Sequence, residues 1–208
     1  MKIYIVRHGE TTGNIKRLFV GSKLDYPLTK AGEDLAKITG EKLQGIKFDA
    51  CYSSPLVRAD MTSKLILEYS GNKDTPIYYD DRLKECEMGE WEGKSYFNEN
   101  GELPRFKNYL YNKNFRYVRR IPGGESAKEL IKRTWSCLNE VAQKDYDTVL
   151  LSTHGCALRA MLNNLYDNKF DFWQGGLPLN CAISIVEVEN GKMKLISKDK
   201  VYYDIENI

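Results

Sequence analysis

Two histidines, the only two in this chain of 208 residues, stand in matching positions: each follows an apolar run and precedes a glycine. His8 comes after KIYIV and Arg7, and His154 comes after TVLLST. Near neutral pH an imidazole can act as a nucleophile, as a proton carrier or as a metal ligand. A single histidine at a strand end is more often a hydrogen-bonded core residue. Two in the same setting favour a shared chemical role.

The residues that surround His8 favour an anion as the ligand. Arg7 precedes it, and Gly9 lets the backbone approach a bound molecule closely. Polar donors follow at a predicted helix start, namely Thr11, Thr12 and Asn14. Arg58, in SSPLVRA, stands about one turn into a second predicted helix and could point toward the same place. The alternative for Arg58 is a solvated position on the surface.

The elements that must position these groups alternate between strand and helix. Apolar, β-branched runs predict strands over 2–6, 48–54, 76–80 and 147–153, and a hairpin over 182–198 that turns at Asn190-Gly191. Helical spacing predicts four helices, over 29–44, 55–70, 125–143 and 155–166. Thr29 is the expected cap of the first, and Pro55 is the expected first residue of the second. The turn-rich stretch 82–97 predicts a loop. We therefore predict an α/β fold: a three-layer α/β/α sandwich with a mostly parallel sheet and an antiparallel edge hairpin near the C-terminus.

This fold would explain the placement of the two histidines. In open parallel sheets, ligands bind outside the carboxyl ends of the strands, where loops lead into helices. His8 and His154 both follow such an end. If their two strands are neighbours, the imidazoles converge over one crevice although they are far apart in sequence.

Composition argues against several other classes of protein. Lys and Arg number 31 against 29 Asp and Glu, so the net charge of +2 creates no strong field for nucleic acid or for a membrane surface. No apolar run reaches about 18 residues, the length that a membrane helix needs. Five widely spaced cysteines without a CxxC pair predict reduced, buried thiols, and no signal-peptide pattern opens the chain. We expect a cytoplasmic protein in which residues 1–208 form one domain.

Six sequence blocks carry a resemblance to a known family. They are RHGETTGN (7–14), RLFVGSKLDYPLTKAG (17–32), SSPLVRA (53–59), RLKECEMGEWEG (82–93), PGGES (122–126) and STHG (152–155). Through these blocks, in this order over most of its length, the chain resembles the histidine phosphatase superfamily, the phosphoglycerate mutase-like proteins. The resemblance implies a metal-independent phosphatase that hydrolyses a small phosphorylated metabolite and needs no cofactor.

The resemblance also implies a role for each site residue. His8 would be the nucleophile that becomes a phosphohistidine, and Glu85 would be the proton donor. The phosphoryl oxygens would be bound by Arg7, Arg58 and His154. The positions that align with the family's phosphate pocket are Asn14, Val20, Gly21 and Gly155. Val20 is apolar where many relatives carry a small polar residue, so fine specificity is left open.

These roles agree with the needs of phosphoryl transfer. The reaction requires positioning and neutralised charge, which two guanidinium groups and a second imidazole can supply without a metal. To attack, His8 must be neutral, with its other ring nitrogen donating to a backbone carbonyl. His154 would stabilise the transition state better when protonated. A carboxyl group beside phosphate holds a proton more readily because its anion is disfavoured there.

The acidic residues near the site compete for that proton-donor role. Spacing and the resemblance favour Glu85, but the same loop also carries Glu87, Glu90 and Glu92. Glu10, beside the nucleophile, is expected to orient its loop or cap a helix.

Two rival functions stay open. A mutase would return the phosphoryl group to another hydroxyl, and an inactive relative would only bind phosphate or a protein. PGGES stands where mutases of this family carry a longer, more basic insertion, which favours a site open to water. A cap-like segment at about 95–121 is expected to shape the pocket, and the cluster Arg116, Arg119 and Arg120 is either a site for a second anionic group or a solvated face. The oligomeric state is open, with a homodimer as one option.

Two other chemistries fit the residues less well. EGKS at 92–95 is similar to the end of a nucleotide phosphate loop, but the required glycine is replaced by Met88. Two histidines and a carboxylate could form a metal triad. The arginines beside them favour an anion over a cation, so no metal is expected.

Overall fold

Six strands form one mixed sheet in the computed structural model, which describes residues 1–97 and 120–204. In chain order they are β1 (Lys2–Arg7), β2 (Ala50–Ser53), β3 (Ile77–Tyr79), β4 (Thr148–Thr153), β5 (Ile183–Glu189) and β6 (Lys192–Lys200). Their order across the sheet is β3-β2-β4-β1-β5-β6. The strands from β1 to β4 pair in parallel, whereas β5 is antiparallel to β1 and β6 is antiparallel to β5. The predicted strands and the C-terminal edge hairpin are thereby confirmed.

Five helices connect these strands within the described ranges. They are α1 (Thr12–Ile15), α2 (Lys30–Lys42), α3 (Val57–Tyr69), α4 (Ala127–Val141) and α5 (Gly155–Leu162). Short 3₁₀ turns cover Asp81–Leu83, Gly89–Trp91 and Asn163–Leu165, so the predicted loop over 82–97 contains two such turns and no longer helix. No helix in the described part of the chain is long and apolar enough to cross a membrane.

Side chains alternate across the sheet, and each face is covered by helices. Ile5 on β1 belongs to a buried cluster with Leu138 of α4 and Leu158 of α5. Val6, the next residue, belongs to a separate cluster with Ile66 of α3. This alternation follows from the two-residue period of a strand. The predicted α/β/α layering is confirmed.

Helix α2 packs in a way that apolar spacing did not predict. It begins as expected, because Thr29 Oγ1 accepts a hydrogen bond from Gly32 N at 3.0 Å. Its buried side, however, includes the small residues Ala36 and Gly40, while Ile38 is exposed. A Cβ at Gly40 would lie 2.8 Å from Ile66 O in α3. The two helices approach closely through small residues, which a search for large apolar side chains does not detect.

The start of α3 differs from the prediction that Pro55 is its first helical residue. The helix begins at Val57, with Leu56 in extended conformation before it. Just before Pro55 the backbone still forms a hydrogen bond to the sheet, since Ser54 N donates to Ser152 O of β4 at 3.0 Å. Leu56 N then donates to Ser54 Oγ at 3.3 Å. Pro55 therefore lies in the turn between β2 and α3.

The hairpin between β5 and β6 turns at the predicted dipeptide. Asn190 and Gly191 have φ values of 49° and 72°. Positive φ at both central residues is typical of the type I′ turn, whose twist matches that of paired strands. Of the predicted cap-like segment, residues 98–119 lie outside the described part of the chain.

Candidate active site

The two histidines leave neighbouring strands at the same level. Arg7 at the end of β1 pairs with Thr153 at the end of β4, and His8 N donates to Thr153 O at 3.0 Å. The two imidazole centroids lie 5.1 Å apart with their planes tilted by 58°. Both residues are buried, with 5% of His8 and none of His154 exposed. The expected convergence over one crevice follows directly from the β1–β4 pairing.

His8 is held as a neutral imidazole of one tautomer. Its Nδ1 lies 2.7 Å from Gly9 O, and because a carbonyl can only accept, Nδ1 must carry the proton. The lone pair is then on Nε2. Burial, with the nearby charges of Arg58 and Arg7, lowers the pKa of His8 well below its ordinary 6.5. These contacts leave His8 in the form that a nucleophile requires, as the sequence analysis predicted.

His154 is neutral as well, and a protonated His154 beside phosphate in the transition state stays a prediction. Arg58 Nε donates to its Nδ1 at 3.1 Å, so Nδ1 carries no proton. Its Nε2 is 2.8 Å from Ser54 Oγ. Burial, and then the positive charge of Arg58, lower the pKa of His154 well below 6.5. A second positive charge beside a buried guanidinium is unfavourable. His154 therefore stays neutral and orients Arg58 by accepting its hydrogen bond.

Arg58 is a buried residue and not the solvated surface arginine that was the alternative. Only 1% of it is exposed. Its Nη1 donates to Leu24 O at 3.1 Å and to Asp25 Oδ1 at 2.9 Å, and its Nη2 donates to Gly21 O at 2.8 Å. Burial lowers the pKa of Arg58, while the Asp25 carboxylate opposes that shift. Its guanidinium is thus fixed in one orientation beside the imidazoles.

Arg7 has a buried donor that is not satisfied by the protein. Its Nη1 donates to Pro178 O. Its Nε is buried and has no hydrogen-bond partner within residues 1–97 and 120–204. Buried donors without a partner are rare and call for an explanation. An anion bound in the pocket that Arg7 lines would supply the missing acceptor.

Among the competing acids, Glu85 is the one that lines the pocket. It is buried, and its carboxylate accepts from Cys86 N at 2.8 Å, Ala157 N at 3.0 Å and Cys156 N at 3.1 Å. Cys156 and Ala157 belong to the first turn of α5, where backbone N–H groups stabilise negative charge. Glu87 and Glu90 are exposed and do not line the pocket.

The fourth acid of the loop, Glu92, organises backbone. Its Oε1 accepts from Gly21 N at 2.8 Å, Lys23 N at 3.1 Å and Leu24 N at 2.8 Å. Because Arg58 donates to the carbonyls of Gly21 and Leu24, Glu92 also fixes the acceptors of that arginine. Glu10 has a comparable role: its Oε1 accepts from Thr29 Oγ1 at 2.8 Å at the start of α2.

Arg133 on α4 is a functional candidate that the sequence analysis missed. It donates to the carbonyl oxygens of Arg82, Lys84 and Glu85 at 2.7–3.0 Å. It also forms two hydrogen bonds to the Glu125 carboxylate, at 2.7 and 2.9 Å. Arg133 thereby holds the loop that carries Glu85. One sequence feature could have indicated this role. Glu125 of PGGES, the partner of Arg133, stands eight residues earlier, just before the same helix begins.

The pocket brings together most of the predicted site residues. Those that line it are Arg7, His8, Asn14, Val20, Arg58, Glu85 and Gly155. Gly21 and His154 lie behind this lining, and both contact Arg58. The lining residues that received no site role in the sequence analysis are Phe19, Met88, Tyr96, Cys156 and Leu177. Thr11, one of the predicted polar donors, also lines the pocket.

Two further expectations concern charge near the site. In the described ranges, no group of three His, Cys, Asp or Glu residues is arranged to hold a metal ion. Of the predicted basic cluster, Arg116 and Arg119 lie outside the described residues. Arg120 donates to Gly124 O and forms an ion pair with Glu129 on α4. It does not line the pocket.

Comparisons with known proteins show which family the chain belongs to. The profile of the histidine phosphatase superfamily (branch 1) matches residues 3–199. A 2,3-bisphosphoglycerate-dependent phosphoglycerate mutase of Brucella anthropi is 32% identical over 165 residues, covering 77% of this chain and 79% of its own. A Hydrogenobacter thermophilus protein named "Putative phosphoserine phosphatase 2" is 31% identical over 209 residues, covering 96% of each chain. The structure of Bacillus stearothermophilus YhfR superposes with a TM-score of 0.83 at 27% identity, over 96% of this chain and 97% of its own.

Proposed function

Because the chain belongs to the histidine phosphatase superfamily (branch 1), we propose that it is a metal-independent phosphatase that hydrolyses a small phosphomonoester through a phosphohistidine on His8. One observation carries the proposal. Arg7, His8, Arg58 and Glu85 line a single pocket in which His8 is neutral and a buried donor of Arg7 lacks an acceptor. A phosphate monoester would satisfy this pocket, since its oxygens accept from the arginines while its phosphorus faces the nucleophile.

In the first half-reaction, His8 Nε2 attacks phosphorus. A P–N bond forms, the P–O bond to the alcohol breaks, and the protonated form of Glu85 gives its proton to the departing oxygen. Nδ1–H stays on Gly9 O and stabilises the positive imidazolium that forms. Arg7 and Arg58 neutralise the equatorial oxygens, which is the main demand of phosphoryl transfer.

The second half-reaction restores the enzyme. The Glu85 carboxylate takes a proton from water, whose oxygen attacks phosphorus. The P–N bond breaks, inorganic phosphate leaves, and His8 returns to the neutral tautomer with its lone pair on Nε2. Glu85 is again protonated for the next cycle.

A mutase is the second candidate, because the Brucella anthropi relative is named as one. A mutase would return the phosphoryl group from His8 to a hydroxyl of the bound substrate. The shared pocket chemistry supports either outcome. The short PGGES stretch, where mutases carry a longer basic insertion, favours hydrolysis because water reaches an open site more readily.

The proposal is tested by phosphate release from phenyl phosphate in metal-free buffer with chelator present. We expect turnover by the wild-type protein, a loss of at least about 10³-fold for His8→Ala, and unchanged turnover for the exposed control Lys30→Ala. Mass spectrometry of alkali-quenched protein should detect one phosphoryl group on wild type and none on His8→Ala. A requirement for added divalent metal would contradict the mechanism, and interconversion of phosphoglycerates without phosphate release would favour the mutase.

We further propose that the protein acts in the cytoplasm on a phosphorylated metabolite. All five cysteines are buried and free, which is typical of a reducing compartment. The net charge of +2 also supports a small-molecule partner over nucleic acid.

A further inference from the structure

Beyond its charged groups, the pocket has an apolar wall. We use this name for five lining residues: Phe19, Val20, Met88, Tyr96 and Leu177. Phe19 and Met88 are buried, Val20 and Tyr96 are half-buried, and Leu177 is 38% exposed. A large apolar side chain left accessible beside a polar site is a common feature of ligand pockets. The wall is therefore a candidate subsite for the alcohol part of the ester.

The apolar wall is held in place before any ligand binds. The segments around Phe19 and Tyr96 pair as a short ribbon, with a bridge between Leu18 and Ser95. Phe19 N donates to Lys94 O at 2.9 Å, and Tyr96 N donates to Arg17 O at 2.8 Å. The rings of Phe19 and Tyr96 meet edge to face, 4.6 Å apart. A preformed wall costs a ligand little ordering entropy.

Among the described residues that line the pocket, the positive charge belongs to the groups assigned to the phosphoryl oxygens. Arg7 and Arg58 are the cationic residues among the described lining, since His8 is neutral. Arg58 is tied by its hydrogen bonds to Gly21, Leu24, Asp25 and His154. A second anionic group on the substrate would face the apolar wall, without a cation from the described lining.

A neighbouring cavity that Glu85 also borders does not supply that missing cation. Its lining contains four acidic residues, Asp81, Glu85, Glu87 and Glu125, against three basic ones, Lys23, Lys84 and Arg133. Lys84 pairs with Asp81 at 2.9 Å, and Arg133 pairs with Glu125 at 2.7 Å. Two of its three described cations are therefore already paired with carboxylates, so the cavity offers little free positive charge to a carboxylate or a second phosphate.

From these observations we infer the substrate class, resting on the phosphatase activity proposed above: the substrate is a monoester of an uncharged, apolar alcohol, aryl or alkyl, whose organic group packs on the apolar wall. The phosphoryl group would be held by Arg7 and Arg58, and the organic group would pack on Phe19, Tyr96 and Leu177. Removing apolar surface from water at a preformed wall favours such an ester. Burying a carboxylate without a partner disfavours its charged analogue.

The test compares two esters that differ only by a carboxylate group, placed far from the phosphoryl group. Benzyl phosphate and 4-carboxybenzyl phosphate have the same reacting bond, and the methylene group keeps the two leaving alcohols similar in acidity. We expect kcat/KM of the wild-type protein to be at least about tenfold higher for benzyl phosphate, a size of effect typical of a misplaced polar group in an apolar subsite.

Two lysine variants separate a local charge effect from a general one. Leu177 lines the pocket, whereas Leu179, two residues later and 47% exposed, does not. Leu177→Lys should raise kcat/KM for the carboxylated ester and so reduce the preference about tenfold or more, while Leu179→Lys should leave the ratio unchanged. In addition, Tyr96→Ala should raise KM for benzyl phosphate, and Tyr96→Phe should not.

Binding of the matching phosphonates keeps the inference testable without turnover. Calorimetry with benzylphosphonate and 4-carboxybenzylphosphonate should show the same preference as the kinetics. If neither ester is hydrolysed but benzylphosphonate binds more tightly, the phosphatase proposal fails and the assignment of an apolar subsite stands. If phosphate is released but the carboxylated compounds are equal or preferred in both assays, the substrate class is overturned and the phosphatase stands.

Discussion

At the scale of single residues, the proposed nucleophile is prepared by a backbone carbonyl. Gly9 O fixes the tautomer of His8, and Gly9 N in turn donates to Thr62 Oγ1 at 2.9 Å on α3. Burial, and then the charges of Arg58 and Arg7, keep the imidazole neutral, because a further positive charge in the same buried space is disfavoured. The same two arginines that would bind phosphate therefore add to the effect of burial in keeping His8 in its attacking form.

The burial of both histidines predicts a specific pH dependence of stability. Their pKa values are lowered in the folded protein, so below pH 6.5 the unfolded chain binds more protons than the folded one. The unfolding free energy must then fall as the pH falls. Between pH 7.5 and 5.5 we expect the wild-type protein to lose about 3 kcal/mol, measured by urea unfolding.

Because the chain has only two histidines, the contribution of each one to this pH dependence can be measured with a single substitution. His8→Gln and His154→Gln should each lose about half of the pH-dependent change, whatever their effect on stability at pH 7.5. The exposed Lys30→Ala variant should keep the wild-type slope. An unfolding free energy that does not vary over this pH range would contradict the neutral, buried state of the two rings.

At the scale of elements, a helix side chain holds an otherwise irregular loop. The segment 82–87 has one 3₁₀ turn and no strand pairing, yet it carries the proposed proton donor. Arg133 on α4 donates to three of its carbonyls, and Glu125 N donates to Glu87 O at 3.0 Å. The loop is thus ordered by the helix that follows PGGES. We interpret Arg133 as a positioning residue for Glu85.

Leaving-group dependence should reveal this positioning role. A nitrophenyl ester departs without help from an acid, whereas an alkyl ester needs its oxygen protonated. Because kcat/KM reports only the first half-reaction, we expect Glu85→Gln to lower kcat/KM for benzyl phosphate by about 10²-fold or more and kcat/KM for 4-nitrophenyl phosphate only slightly. Arg133→Lys should reproduce this selective loss at about 10-fold, because one ammonium cannot make the five hydrogen bonds of the guanidinium.

Lys132→Ala, on the exposed side of α4, is the matched control and should leave both rates unchanged. A purely structural effect of Arg133→Lys would lower the two rates equally. That outcome, with normal folding by circular dichroism, would contradict the positioning role.

The elements themselves were largely predictable, and the contacts between them were not. Strands such as β1 and β4 are marked by continuous apolar runs, because both of their faces are covered by helices. The pairing of Leu18 with Ser95 and the hydrogen bonds of Arg133 join segments without any such pattern. Nothing local in the sequence indicates which distant carbonyl a guanidinium will reach.

At the scale of the whole molecule, an ion pair between a buried arginine and a partly exposed aspartate connects the C-terminal hairpin to the site. Arg159 on α5 is 2% exposed and forms two hydrogen bonds to Asp199 on β6, at 3.0 and 2.7 Å. Its Nε donates to Gly176 O at 2.8 Å. The following residues, Leu177 and Pro178, belong to the pocket wall and to the contact with Arg7. The edge strand therefore supports the loop that borders the pocket.

Removing the charge of Asp199 should destabilise the protein markedly. The substitution Asp199→Asn keeps the shape of the side chain and tolerates the φ of 52° at this position. It leaves the buried Arg159 without its carboxylate, which we expect to cost about 2–3 kcal/mol in urea unfolding. Asp34→Asn, which breaks an exposed pair with Lys30, should change stability little. Equal effects of the two variants would contradict the importance of burial.

The sequence by itself determined the element order, the α/β class and the residue types of the site. These are local properties: strand and helix periods, turn dipeptides, and two histidine–glycine pairs after apolar runs. Only the tertiary structure decided that Glu85 is the acid lining the pocket, that His154 is neutral behind Arg58, and that an apolar wall completes the site. Those outcomes depend on which groups share a buried space, because burial and neighbouring charge set protonation and affinity, and neither is encoded at one position of the chain.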